Sequence, residues 1–189
     1  MTISNPAKLI IAIIVTAALA GCSESEDQRN FEQRALLPPS GIMAMNANGA
    51  PADGGEEDSD DWQIAPEFQG TIDVQTAAFP NPVSFNSTFE ILIEIQSFQS
   101  INGLQVFAFQ QPNNLIAPLF PQTGELNPGF KTIQLSPQQF ASEAGTGNFG
   151  SLYRIIIYST RQKVITYGDV QIEWFPCTII KLQLLNIRY

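Results

Sequence analysis

The stretch FEILIEI, Phe89–Ile95, sets Phe89, Ile91, Ile93 and Ile95 on one side of an extended chain and Glu90, Leu92 and Glu94 on the other. Successive side chains of a strand point to opposite faces, so this period of two predicts a strand with one buried face. The same reading holds for GLQVFAFQQ from Gly103, GFKTIQLS from Gly129, LYRIIIYST from Leu152 and VITYGDVQIEW from Val164. All four are rich in β-branched and aromatic residues and are bounded by Gly, Pro or Asn. TIDVQTA from Thr71 and NLIAPLF from Asn114 add two less regular strands. About seven short strands separated by turn residues predict an all-β fold, an antiparallel β-sandwich over residues 62–176. One helical turn is expected at SPQQF, with Ser136 as N-cap, Pro137 at the first helical position and Gln139 closing a capping box. Beyond the sandwich, the tail 177–189 alternates Ile180, Leu182 and Leu184 with Lys181 and Gln183 before slipping phase at Leu185, and reads as a further strand, with a helix carrying Ile180, Leu184 and Ile187 on one side as the alternative.

The other end of the chain has a different character. Lys8 is followed by LIIAIIVTAALA, Leu9 to Ala20, whose one polar residue is Thr16. A charged start followed by a short apolar run is the pattern of a secretory signal peptide. Twelve helical residues rise only about 18 Å, short of the roughly 30 Å hydrocarbon core that a resident membrane helix must cross. Leu19, Ala20, Gly21 and Cys22 then resemble the lipobox of bacterial lipoproteins. The resemblance implies cleavage after residue 21, with Leu19, Ala20 and Gly21 recognised by the signal peptidase and Cys22 carrying the lipid. Two or more acyl chains hold a protein on a membrane essentially permanently, so the membrane becomes a partner through Cys22. Ser23 after the cysteine, in place of aspartate, resembles the sorting pattern for the outer membrane, and the acidic SESED resembles the surface-export signals of Bacteroidota lipoproteins.

Residues 22–61 are rich in Ser, Asn, Gln, Gly, Pro and acid and end in NGAPADGGEEDSDD. Such a composition predicts a disordered linker, because it offers too little apolar surface to offset the entropy of ordering. Its apolar points are ALL at Ala35–Leu37 and IMAM at Ile42–Met45. Ser23–Asp61 holds ten acidic residues against Arg29 and Arg34, and the whole chain has a net charge of −9. No basic face is available for phosphate backbones, which excludes nucleic acid as an expected partner.

A second resemblance lies in AFPNPVSFNSTFEILIEI. Phe79, Pro80, Asn81 and Pro82 are similar to the PNP turn that opens immunoglobulin-like domains of Bacteroidota secreted and surface proteins, and LYRIIIY fits a later strand of that family. The motif opens with Phe where the family has Tyr, and its spacings are longer. What the resemblance implies is an immunoglobulin-like sandwich.

Chemistry is bounded mainly by what is missing. The chain contains no histidine, which removes Ser-His-Asp and Cys-His catalysis and the usual zinc sites. Glu90 and Glu94 share a strand face, but four residues of strand separate them by about 13 Å, beyond both glycosidase spacings. Closer pairing would need Asp73 or Asp169 from another strand. GTGNFG, with Gly145, Gly147 and Gly150, lies between a helical turn and a strand, the reverse of a dinucleotide site, and reads as a loop. EEDSDD lacks the glycine and distal glutamate of a calcium loop. With Cys22 lipidated, Cys177 has no intramolecular disulfide partner and reads as a small buried residue. Tyr158 and Tyr167, near the turn STRQK, are candidates for a shared aromatic platform that would stack on sugars. The expectation is therefore an outer-membrane, lipid-anchored domain for binding, assembly or adhesion, with no enzyme activity and no cofactor, whose partner is an envelope protein or a glycan. The alternative is a glycan-binding or glycan-processing surface lipoprotein.

Overall fold

The alternation in FEILIEI is realised as a strand whose Phe89, Ile91, Ile93 and Ile95 are buried while the residues between them are half-exposed. The computed structural model describes residues 25–54, 58, 60–96, 101–110, 116–141 and 151–173. In chain order the strands are β1 (Ile72–Phe79), β2 (Val83–Ser84), β3 (Phe89–Ile95), β4 (Ile101–Phe109), β5 (Ile116–Leu126), β6 (Gly129–Leu135), β7 (Ser151–Ser159) and β8 (Val164–Glu173). All seven expected strands are present, and β2 is added. They form a three-stranded sheet ordered β1-β3-β6 and a five-stranded sheet ordered β2-β8-β7-β4-β5. Pairing is antiparallel except for the short β2, which runs parallel to the end of β8. With β3 and β6 in one sheet and β4, β7 and β8 in the other, this is an immunoglobulin-like β-sandwich.

The inner faces supply one core. Ile91, Ile93 and Ile133 from the smaller sheet pack with Leu104, Val106, Ile155, Ile157 and Val170 from the larger. The turn expected at SPQQF forms as a short 3-10 helix, Pro137–Gln139, with the Gln139 side chain accepting from the Ser136 N–H at 2.8 Å. Gly103 has a φ of +73°, and a Cβ there would strike the Gln122 carbonyl and Thr160, so β4 and β5 can approach only at a glycine.

The described part of 22–61 is ordered, which corrects the expectation of a disordered linker. Glu26–Ala35 forms helix α1, and the Ser25 hydroxyl accepts from the Gln28 N–H at 3.2 Å as its N-cap. Phe31 and Ala35 are buried against Phe109, Ile156, Val164 and Tyr167, on the outer face of the five-stranded sheet. The Met45 and Asn81 backbones exchange two hydrogen bonds of 2.8 and 2.9 Å. The Trp62 and Ala65 N–H groups donate to the carbonyls of Tyr167 and Ile165, at 2.7 and 2.8 Å, and cover the free edge of β8. Composition averaged over the segment misses this, because its few apolar residues sit where they count: Phe31 and Ala35 are four apart, on one side of a helix. Among the described residues, the segment from Ser25 to Asp61 is thus part of the ordered domain expected to start at Trp62.

FPNP acts as a clasp. The Phe79–Pro80 and Asn81–Pro82 peptide bonds are cis. The fully buried Asn81 amide donates to the carbonyls of Met43 (3.1 Å) and Asp169 (2.9 Å) and accepts from the Gln171 N–H (3.0 Å), joining the N-terminal segment to β8. The signal peptide, Cys22, Cys177, the GTGNFG loop and the tail 177–189 lie outside the described residues.

Limited proteolysis of the chain lacking its first 21 residues should yield a resistant fragment that retains Glu26–Ala52, read by mass spectrometry of the fragment's N-terminus. A resistant core that starts near Trp62 would contradict the docked segment.

Candidate functional site

LYRIIIY places Arg154 in the middle of β7, and YGDVQI places Asp169 in β8, where the two are cross-strand partners. Both lie on the outer face of the five-stranded sheet, and both are buried beneath the N-terminal segment. The guanidinium meets the carboxylate in two parallel bonds, Nε to Oδ1 at 2.7 Å and Nη2 to Oδ2 at 2.9 Å. This fork-to-fork geometry is the strong form of an ion pair. Nη1 donates to the carbonyls of Arg34 (3.0 Å) and Leu37 (3.1 Å), at and just past the end of α1, where carbonyls lack helical partners. The Ser40 N–H donates to Asp169 Oδ2 at 2.8 Å. Burial alone would lower the Arg154 pKa, but the hydrogen bonds and charge of Asp169 outweigh it and hold the pKa above its ordinary value. The guanidinium also lies 4.9 Å from the centre of the Tyr167 ring, which in turn packs 5.0 Å from Phe31.

Asp61 completes the cluster. Its Oδ1 accepts from the Asp169 N–H at 3.1 Å and its Oδ2 from the Met43 N–H at 3.3 Å. Burial, followed by the neighbouring Asp169 carboxylate, pushes its pKa from 3.8 up to about 8. A small cleft opens beside it, with Asp58, Asp60 and Asp61 on its walls together with Arg34 and Arg154. Perturbed groups beside a cleft mark candidate sites, yet here the charged atoms already bind backbone. Arg154 and Asp169 are committed to each other and to residues 34–40, so the cluster works as an internal clamp. Among the described residues no group of three or more His, Cys, Asp or Glu is placed to hold a metal.

The structure separates the two tyrosines singled out by sequence. Tyr167 is 4% exposed beneath α1 and belongs to the packing there, so it cannot share an accessible platform with Tyr158. Burial pushes the hydroxyl pKa of both upward, and for Tyr158 the Glu32 carboxylate adds to the effect. Tyr158 is half-buried, stands edge-on to Phe107 at 5.4 Å, and lines a shallow depression with Gln105, Phe107 and Gln162. Of the carboxylates, Asp73 does come opposite Glu94, bridged by Gln75 Nε2 at 2.8 and 2.9 Å, on the exposed face of the small sheet. Glu90 instead accepts from Gln134. Asp169 lies in the other sheet. Leu19, Ala20, Gly21 and Cys22 lie outside the described residues.

Sequence reasoning missed Arg154 and Asp61 as organising residues. The available signal was an arginine flanked by apolar residues on both phases of LYRIIIY, which an outward solvated position does not require.

No family model matches the chain, and no curated protein matches it. Among solved structures, a GH3 beta-glucosidase of Bifidobacterium adolescentis is similar at 14% identity and a TM-score of 0.37, over 54% of this chain and 17% of that one. A lytic polysaccharide monooxygenase of Jonesia denitrificans is similar at 12% identity and a TM-score of 0.31, over 49% of this chain and 56% of that one. An LPMO of Kitasatospora papulosa is similar at 10% identity and a TM-score of 0.28, over 49% of each chain.

Two outcomes follow from the clamp. Arg154→Met leaves Asp169 and two helix-end carbonyls without their donor, and should lower unfolding free energy in a denaturant titration by about 3–5 kcal/mol. Asp61 keeps its proton in the folded chain up to about pH 8 but releases it near 3.8 once unfolded. Its contribution to stability is therefore full below the unfolded value and is lost as pH rises toward 8, at up to ~1.4 kcal/mol per pH unit. Asp61→Asn cannot titrate, so its stability should fall less than that of the native chain between about pH 5 and about pH 7, by roughly 2–3 kcal/mol. Parallel pH profiles of the two proteins would contradict the assignment.

Proposed function

We propose that the chain is a lipid-anchored domain of the bacterial outer membrane that acts by binding, assembly or adhesion, without catalysis. The anchor is supported by Leu19-Ala20-Gly21-Cys22 after a short apolar run. The non-catalytic reading is carried by one observation: the buried charged groups of the clamp are directed at backbone within the domain and not at a ligand. Chemistry on a bound molecule needs groups within reach of it, and Arg154 and Asp169 are held away from any such role. The partner would be an envelope protein or a glycan, met by the loops at the sandwich ends or by the outer face of the small sheet, which is polar apart from residues such as Phe130. Whether that face looks into the periplasm or outward depends on sorting of the lipidated precursor.

A second reading, glycan binding, has a specific basis in the depression formed by Gln105, Phe107, Tyr158 and Gln162. Amide side chains beside an aromatic edge suit hydroxyl groups and the apolar face of a sugar. Retention of the domain on immobilised polysaccharides, lost in a folded Tyr158→Ala variant, would favour this reading over the first.

For the anchor, metabolic labelling with a fatty acid should mark the native chain and leave Cys22→Ser unlabelled, because the thioether has no other attachment point. Equal label on both would overturn it.

A further inference from the structure

The position of α1 determines how an anchored domain must sit. This step rests on the reading of Cys22 as the lipidated residue. Cys22 and Ser25 are three positions apart, and three residue steps span at most about 11 Å. Ser25 caps α1, and α1 is fixed to the five-stranded sheet through Phe31, Ala35 and the Arg154 bonds. Gln28 at its start donates to the Val164 carbonyl, and its end meets Arg154, so the helix runs alongside β8 and away from the anchor. The domain is therefore not lifted from the bilayer on a long tether. The N-terminal end of α1 is held within about 11 Å of the anchored residue.

The helix side of the domain carries two of the three exposed large apolar side chains among the described residues. Leu36 and Leu37, directly after α1, are 46% and 56% exposed, and the third large apolar side chain in the open is Phe130. Phe130 lies on β6, in the opposite sheet. It is separated from α1 by the sandwich, whose sheets stack roughly 10 Å apart. Ten residues of helix place the leucines about 15 Å from the anchored end. Between them, the outward face of α1 bears Glu26, Asp27, Arg29 and Arg34, two acids and two bases, while Asp58 and Asp60 line the cleft beside Leu37 and add negative charge at that end.

We propose that the bilayer covers this side: α1 lies in the headgroup plane, Leu36 and Leu37 enter the membrane as a second contact beside the lipid on Cys22, and the three-stranded sheet faces away. The lipid provides attachment; the leucines set orientation.

The test uses the full lipidated chain in vesicles of phosphatidylethanolamine and phosphatidylglycerol, in a Cys177→Ser background so that only an introduced thiol reacts. A fluorophore is attached at Pro38→Cys, next to the leucines, or at Thr132→Cys, on the outer face of the small sheet. Flotation with the vesicles is measured first, then quenching by lipids brominated on the acyl chain. Flotation with quenching several-fold stronger at position 38 than at 132, and lost on adding Leu36→Gln and Leu37→Gln without loss of flotation, is the expected result. Flotation with equal or stronger quenching at 132, or with none at 38, overturns the orientation and leaves the anchor standing. Failure to float overturns both.

Discussion

The buried pair of Arg154 and Asp169 is the interaction on which the arrangement of the chain depends. Two apolar residues at these cross-strand positions would pack under α1 well enough, and replacing a buried ion pair in that way is often neutral or favourable. They could not provide what this pair also provides. Arg154 supplies two donors to the carbonyls of Arg34 and Leu37, and Asp169 supplies an acceptor to the Ser40 amide. Covered by the N-terminal segment, those backbone groups would otherwise be buried without partners, at a cost comparable to lost hydrogen bonds. The ion pair is the means by which irregular backbone can lie on a sheet face.

The dependence runs in both directions. Without the segment, the outer face of the large sheet would expose Phe109, Ile156, Val164 and Tyr167, which pack under Phe31 and Ala35. It would also open Arg154 and Asp169 to water. With the segment in place, Asn81 repeats the same device one step along β8, tying Met43 and Met45 to the strand through backbone and amide bonds. Trp62 packs its indole where any side chain at Gly168 would stand, closing the last stretch of the wrap. The described part of the acidic segment is therefore a structural layer of the domain.

The strands were legible because each is a local pattern: the alternation of FEILIEI survives into the structure with Phe89, Ile91, Ile93 and Ile95 all buried. The 3-10 turn at Pro137–Gln139 was legible for the same reason, since capping chemistry is contained in four residues. The docked helix was not, because Phe31 and Ala35 are too few to stand out against the acids around them and their strand partners Phe109, Ile156, Val164 and Tyr167 lie more than 70 residues away in sequence. The clamp was harder still. Arg154, Asp169 and Asp61 look like ordinary charges until the register of β7 on β8 puts two of them opposite each other and the wrap brings in the third. Tyr158 and Tyr167 erred in the other direction: proximity to one turn suggested a shared surface, whereas α1 covers Tyr167. Non-local coverage is what a linear reading does not contain.

The most direct measurement of the central claim is native-state amide hydrogen exchange on the chain lacking its first 21 residues. If the N-terminal segment is part of the cooperative fold, the amides of Ser40, Met43 and Met45 should be protected with free energies close to those of Ile155 and Ile157 in β7, and Arg154→Met should lower protection of the first group more than that of the second. Exchange of Ser40, Met43 and Met45 at the rate of an unfolded chain, while β7 stays protected, would contradict the account.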